Sequence, residues 1–554
     1  MKRSLCKTDS TRVKTPKTPR ALLESVQKAL QTKDFAAALE GAEQLATQFR
    51  DSEETTVYLT SMVWKIRARQ GLGHDRESIR EDAMFYAQEA ERCAQYDRVV
   101  QGLRIAAQVD LDAGRWSRAC ETLEHALDVA ISHQIGRDTL ELLMHLSAIE
   151  LKQCHYLEAI DFLSRAMNAI QPAGLVRDDM RELAAVGHRQ LCELYDTVGD
   201  GEKACNALEA AQNAGTSDPE ERWLQMLWLS RFDRRSGDAD SCEVRLKKIE
   251  SDVAQQVRRG NARREQVEMI HLERIQAMWT RGQWAKAIAQ LDGLEKDLDA
   301  KPLRQAVALQ RFQWAVEIGK PAYDADACGA EFAKSCEGDE NVDIRISLAA
   351  ALTQAAIEIE RGNFEPTLES LLHIAQAASF TQLIPYATRA LALRGQIFLA
   401  QGEFERAAQD GHDACETFVA HVDDVAARQA AAMMLLAQVE ISRTHGEASL
   451  DENEKAAFDQ LLHDLDRFEA HHHEVAFLDL GISLVRIAAI SGQRECAKGL
   501  LERLESHIDA AWMAHRAMQV AALKGRLWGD EKSLEQAREI ARCNGFVLDE
   551  RRLP

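Results

Sequence analysis

His471, His472 and His473, with His463, Asp466 and Glu474 close by, form the densest set of potential metal ligands in the chain. Consecutive helical residues point about 100° apart, so three adjacent imidazoles cannot converge on one ion. The cluster reads as a polar bend between helices, not a zinc site. There is no His-Glu-x-x-His run, no Gly-Lys-Ser/Thr phosphate loop and no Gly-x-Ser-x-Gly elbow. The usual frameworks for metal hydrolysis, phosphoryl transfer and acyl transfer are therefore missing. The tryptophans at 64, 116, 223, 228, 279, 284, 314, 512 and 528 are spaced as interhelical packing residues. The expectation is a chain with no catalytic residue, no metal and no cofactor, and not an enzyme.

The elements that position these residues are helices. Aromatics make up 6% of the chain, and only 9 prolines and 29 glycines occur in 554 residues. That composition disfavours sheets built from many short strands and turns. The 89 acidic residues outnumber 68 basic ones, for a net charge of −21, so the body is expected to repel nucleic acid and anionic membranes. No apolar stretch reaches the 18 residues of a membrane span. Twelve cysteines without a CxxC pair suit reduced, buried thiols. Together with an opening that lacks an apolar signal core, they point to the cytoplasm, or the nucleus in a eukaryotic cell. Residues 1 to 20 carry seven cations against Asp9 and read as a disordered basic tail.

From residue 21 the apolar residues recur at helical spacing in segments separated by short breaks. A glycine is followed two residues later by an aromatic and five later by a small residue in Gly114-Arg115-Trp116 with Ala119. Gly282, Trp284 and Ala287 repeat this, as do Gly402, Phe404 and Ala407, and Gly362, Phe364 and Thr367. A left-handed glycine ends one helix, the aromatic packs back across the turn, and the small residue lets two helices approach. Ladders such as Trp116, Ala119, Leu123, Ala126 and Tyr156, Ala159, Leu163, Ala166 set the register. Aromatic-free copies run through Ala204, Leu208, Ala211, through Cys242, Leu246, Ile249 and through Ala497, Leu501, Leu504. Nine such units in phase, about 40 residues apart, predict an array of helical hairpins.

These residues resemble the intra-repeat turn of tetratricopeptide (TPR) repeats, and Gly395 and Phe398 match the motif in the preceding helix. The spacing near 40 and the missing closing proline are more similar to the long, degenerate repeats of large bacterial transcription activators. The resemblance implies an all-α, right-handed TPR-like solenoid of about a dozen hairpins, whose first helices line a concave face. It places the lining residues three, six, ten and thirteen positions before each turn glycine. That rule exposes Arg104 and Gln108, Arg189 and Glu193, Arg231 and Arg234, Gln276, and Arg486. These arginines either grip an acidic or carboxylate-bearing segment of a protein or peptide partner, or pair with acids of adjacent units. The array is expected over 21 to 318 and 341 to 545, with a bend at 319 to 340 and a tail at 546 to 554. The expected function is a non-catalytic interaction scaffold or adaptor. The alternative is a sensory or regulatory TPR protein whose ligand controls a separate effector.

Overall fold

The computed structural model describes residues 19 to 50, 52, 54 to 170, 180 to 259, 264 to 295, 298, 300 to 319, 323 to 339, 342 to 446, 449 to 509, 511 to 546 and 548. The described residues form 26 α-helices and no strand, arranged as antiparallel hairpins, so the fold is the all-α repeat architecture expected from the sequence. Most of the expected basic tail lies outside the described residues.

The chain divides into two compact units, Met1–Leu175 and Val176–Pro554. In the first, α1 (Pro19–Gln31) pairs with α2 (Phe35–Phe49), and α3 (Thr55–Gly71) with α4 (Arg76–Arg92). Next come α5 (Tyr96–Asp112) with α6 (Trp116–Ser132), and α7 (Gly136–Lys152) with α8 (Tyr156–Ile170). The second unit opens with α9 (Arg181–Val198) and α10 (Gly201–Ala214), then α11 (Pro219–Ser236) and α12 (Ala239–Arg258). It continues with α13 (Arg264–Thr280) and α14 (Trp284–Glu295), then α15 (Lys301–Ile318) and α16 (Ala325–Cys336). The segment expected to bend, 319 to 340, falls inside this unit, where α16 packs on α15. The unit proceeds through α17 (Ile344–Glu360), α18 (Phe364–Phe380), α19 (Ile384–Gln401), α20 (Phe404–Ala420) and α21 (Asp424–Thr444). It ends with α22 (Glu452–Ala470), α23 (Glu474–Ile490), α24 (Arg494–Glu505), α25 (Ala514–Trp528) and α26 (Glu531–Asn544). Phe546 and Leu548 then fold onto a small cluster that includes Met518 and Ala537.

The ladder residues make the core. Ala119, Leu123 and Ala126, Tyr156, Ala159 and Leu163, and Ala204, Leu208 and Ala211 are all buried. The small residues sit where helices come closest. Gly411 of α20, for example, lies against the main chain of Met434 on α21, so a β-carbon there would crowd the Met434 nitrogen at 2.9 Å. The turn glycines adopt the left-handed backbone their position demands, with φ of 70° at Gly114, 73° at Gly282 and 82° at Gly402. Other turns reach the same geometry without glycine. Ala94, Gln134, Cys154, Gln382, Val422 and His472 have positive φ, mostly in the loops between hairpins, and so carry no sequence mark.

Within the second unit the chain returns onto itself five hairpins later: α9 meets α19, α11 meets α21, α13 meets α23 and α15 meets α25. The contact runs edge to edge. The turn at Gly199 and Gly201 carries His421 and Val422 of the α20–α21 loop, and Gly237 carries the ring of Phe468. Gly282 lies under Glu474, and Gly319 under Ala514 and Asn544. The Arg235 guanidinium donates to the His421 carbonyl at 2.7 Å. These glycines thus make a turn and also leave room for a neighbouring layer.

Candidate functional site

The first helices of the first unit form the walls of a cleft of about 840 Å³, within the range that seats ligands. Arg67 and Gln70 come from α3; Asp97, Gln101, Arg104, Gln108 and Asp112 from α5; and Asp138, His145 and Lys152 from α7, with Trp116 of α6 at one end. Helical periodicity explains the α5 set, because 97, 101, 104, 108 and 112 fall on one stripe while Leu103, Ala106 and Val109 point into the core. Arg104 and Gln108, both expected on such a face, line this cleft.

Arg104 is already engaged, at 3.3 Å from Asp138 and 2.8 Å from Glu141 of the next hairpin. Burial would raise the Glu141 carboxyl, but Arg137 and Arg104 outweigh it and hold it below the ordinary value. For Asp138 burial prevails over Arg104, and its carboxyl is pushed up. His145 is reached by solvent yet walled in, and that enclosure, with the nearby charge of Arg104, pushes its imidazole down. Gln108 donates to Asp112 at 2.8 Å. The Lys152 ammonium lies 5.2 Å from the Trp116 ring.

Two cations in the cleft differ from Arg104. Arg67 and Lys152 are exposed, and neither pairs with a carboxylate among the described residues. Sequence reasoning missed both. Arg67 stands six residues before Gly73, whose φ is +69°, so the offset rule would have found it had that turn been recognised. Lys152 precedes a turn made by Cys154, which no glycine marks.

The remaining expected residues lie in the second unit, where Arg189, Glu193, Arg231, Arg234 and Gln276 are internally paired. Arg189 reaches Glu221 of α11 at 2.9 Å and its own-helix Glu193 at 3.7 Å. Burial raises the Glu221 carboxyl against the pull of Arg189. Arg231 donates to Glu273 of α13 at 2.7 Å, and Arg234 lies 3.5 Å from the same carboxylate. Although burial opposes ionisation of Glu273, the two guanidiniums prevail and lower its pKa. Arg234 also donates to Gln276, which donates to Gln310 of α15 at 2.6 Å. Arg231, Arg234 and Gln276 are thus brought together in one ladder across three first helices. Arg486 sits half-buried on α23. A second, smaller cleft of about 410 Å³ is lined by Arg389, Leu393 and Gln396 of α19, Phe418 of α20 and Met433 of α21.

The histidine cluster forms part of the edge-to-edge contact. His472 faces Asp240 at 3.0 Å, His471 lies 3.6 Å from Asp238, and buried His473 contacts the Arg234 carbonyl at 3.2 Å. Among the described residues no three His, Cys, Asp or Glu side chains are arranged to hold a metal ion. Trp223, Trp228, Trp279, Trp284 and Trp314 are buried between helices.

No family model and no curated protein matches the sequence. Among solved structures the chain is similar to the crystal structure of the APC/C hetero-tetramer Cut9-Hcn1, at 10% identity and a TM-score of 0.44, over 95% of this chain and 94% of that one. At that score the likeness carries no argument.

Proposed function

We propose that the protein is a non-catalytic interaction scaffold of TPR-like hairpins, and that the cleft of the first unit seats a carboxylate-bearing segment of a partner protein. The observation that carries this reading is the contrast among the cations. Arg104, Arg189, Arg231 and Arg234 are satisfied by acids from adjacent hairpins. Arg67 and Lys152 line the same open cleft as Asp97, Asp112 and Asp138 but form no ion pair with a carboxylate among the described residues. In a chain of net charge −21, leaving two cations unpaired in one cleft favours an anionic guest. The amides of Gln70 and Gln108 supply donors and acceptors for a peptide main chain. A preformed wall of helices costs little reorganisation on binding.

Placing a photo-crosslinking aromatic at Gln108 in the living cell tests this. A discrete protein adduct is expected, and charge reversal of Arg67 and Lys152 to Glu should reduce it by at least about tenfold, the size of one charge-assisted hydrogen bond. An adduct of unchanged yield in the double variant would reject the cleft as the binding site.

A further inference from the structure

The edge-to-edge contact inside the second unit is lined by histidines. His421 lies on the turn at Gly199 and Gly201, where its ring and main chain fill the space a β-carbon would take. Around it stand Arg235 of α11, Asp196 of α9, Arg389 of α19 and Asp423 of its own loop. His473 is held more specifically. Its Nδ1 accepts from the Ala476 N–H at 3.2 Å, capping α23, which leaves Nε2 as the protonated nitrogen donating to the Arg234 carbonyl at 3.2 Å. The Arg234 guanidinium and Asp479 are the charges nearest to it. That pattern requires a neutral ring, because a second proton would displace the Ala476 N–H.

We propose that this seam is an acid-sensitive latch, held shut by the neutral imidazoles of His421 and His473, and that mild acidification releases one layer of hairpins from the other while each hairpin stays folded. The direction follows from linkage. Burial first, then Arg235, pushes His421 down to about 4. Burial likewise pushes His473 down to about 4, against the upward pull of its backbone hydrogen bonds. In the released state both rings meet water and titrate near 6.5. Above that pH neither state takes a proton and the latch is at full strength. As pH falls from about 6.5 toward 4, only the released state protonates. The ratio of closed to released state then drops by up to tenfold per pH unit for each histidine, up to a hundredfold for the pair. His515 of α25 opposes this: burial lowers its imidazole, but Glu360 and Glu317 prevail and raise it. His471 beside Asp238 and His472 beside Asp240 are 46% and 59% exposed, so water screens those contacts.

Hydrogen exchange of the full chain at pH 7.5, 6.5 and 5.5, corrected for the intrinsic pH dependence of exchange, reads the latch directly. Protection at 196 to 204, 234 to 242 and 470 to 477 should fall by about fivefold for one histidine and about thirtyfold for both between pH 6.5 and 5.5, while the Gly114 turn holds constant. The double variant His421→Asn, His473→Asn, whose second substitution keeps a capping acceptor, should show no such fall. Constant wild-type protection, or an equal fall in the His421/His473 variant, would overturn the proposal. The wild-type profile decides even if that variant does not fold.

Discussion

Gly136 and Gly201 are matched residues with opposite surroundings. Each is the first residue of a helix, α7 and α10 respectively, and neither has positive φ. A β-carbon added at Gly136 meets nothing within 4 Å, whereas at Gly201 it overlaps the main-chain carbonyl of His421 and comes within 2.8 Å of Val422. Local physics treats both alike: alanine restricts the unfolded chain and favours the helix, for a gain of about 0.4–1 kcal/mol. Tertiary physics separates them. Backbone cannot rotate aside as a side chain can, so overpacking at Gly201 should cost about 1–3 kcal/mol. Gly136→Ala is therefore expected to stabilise by about 0.4–1 kcal/mol, and Gly201→Ala to destabilise, the two differing by about 1–3 kcal/mol. Hydrogen exchange at neutral pH measures each locally, since a tenfold change in protection corresponds to about 1.4 kcal/mol. Lost protection should appear both at 198 to 204 and at 420 to 426, although about 220 residues separate them in sequence. If Gly201→Ala gained protection as Gly136→Ala does, the edge-to-edge packing of α9 and α10 against the α20–α21 loop would be wrong.

Gly402 has φ of +82° with open space around it, so Gly402→Ala should cost about 1–2 kcal/mol from backbone strain alone, read as a lower urea midpoint. Glu273→Gln leaves the partly buried Arg231 and Arg234 without their shared carboxylate. A loss of about 2–3 kcal/mol is expected, and a measured change below about 0.5 would mean the ladder contributes little.

Much of the fold was legible because its determinants are local. A helix declares itself through residues three and four apart, and a turn glycine through the few residues it joins. The small and aliphatic residues of the ladders at 119 to 126, 159 to 166, 204 to 211, 242 to 249 and 497 to 504 are buried, while Trp116 is half-exposed, and Gly114, Gly282, Gly362 and Gly402 have the left-handed backbone expected. The turns at Ala94, Gln134 and Val422 stayed hidden because packing imposes the same backbone on residues that do not advertise it, whereas the bend at His471 to His473 was read from the sequence. The clefts were half visible for the same reason. Periodicity put Arg104 and Gln108 on the open stripe of α5, but Arg67 needed the unrecognised turn at Gly73 and Lys152 the glycine-free turn at Cys154.

By itself, then, the amino-acid order determined the helices, their pairing into hairpins and the residues each hairpin buries, all of which rest on contacts a few positions apart. It could not say which arginines are free, because Arg231 meets Glu273 42 residues away and Arg189 meets Glu221 32 away. Nor could it assign the histidines, since His473 reaches Arg234 across 239 positions and Arg235 reaches His421 across 186. Those partnerships exist only once five hairpins have stacked and the chain has come back beside its earlier layer. No short-range periodicity records a separation of that length.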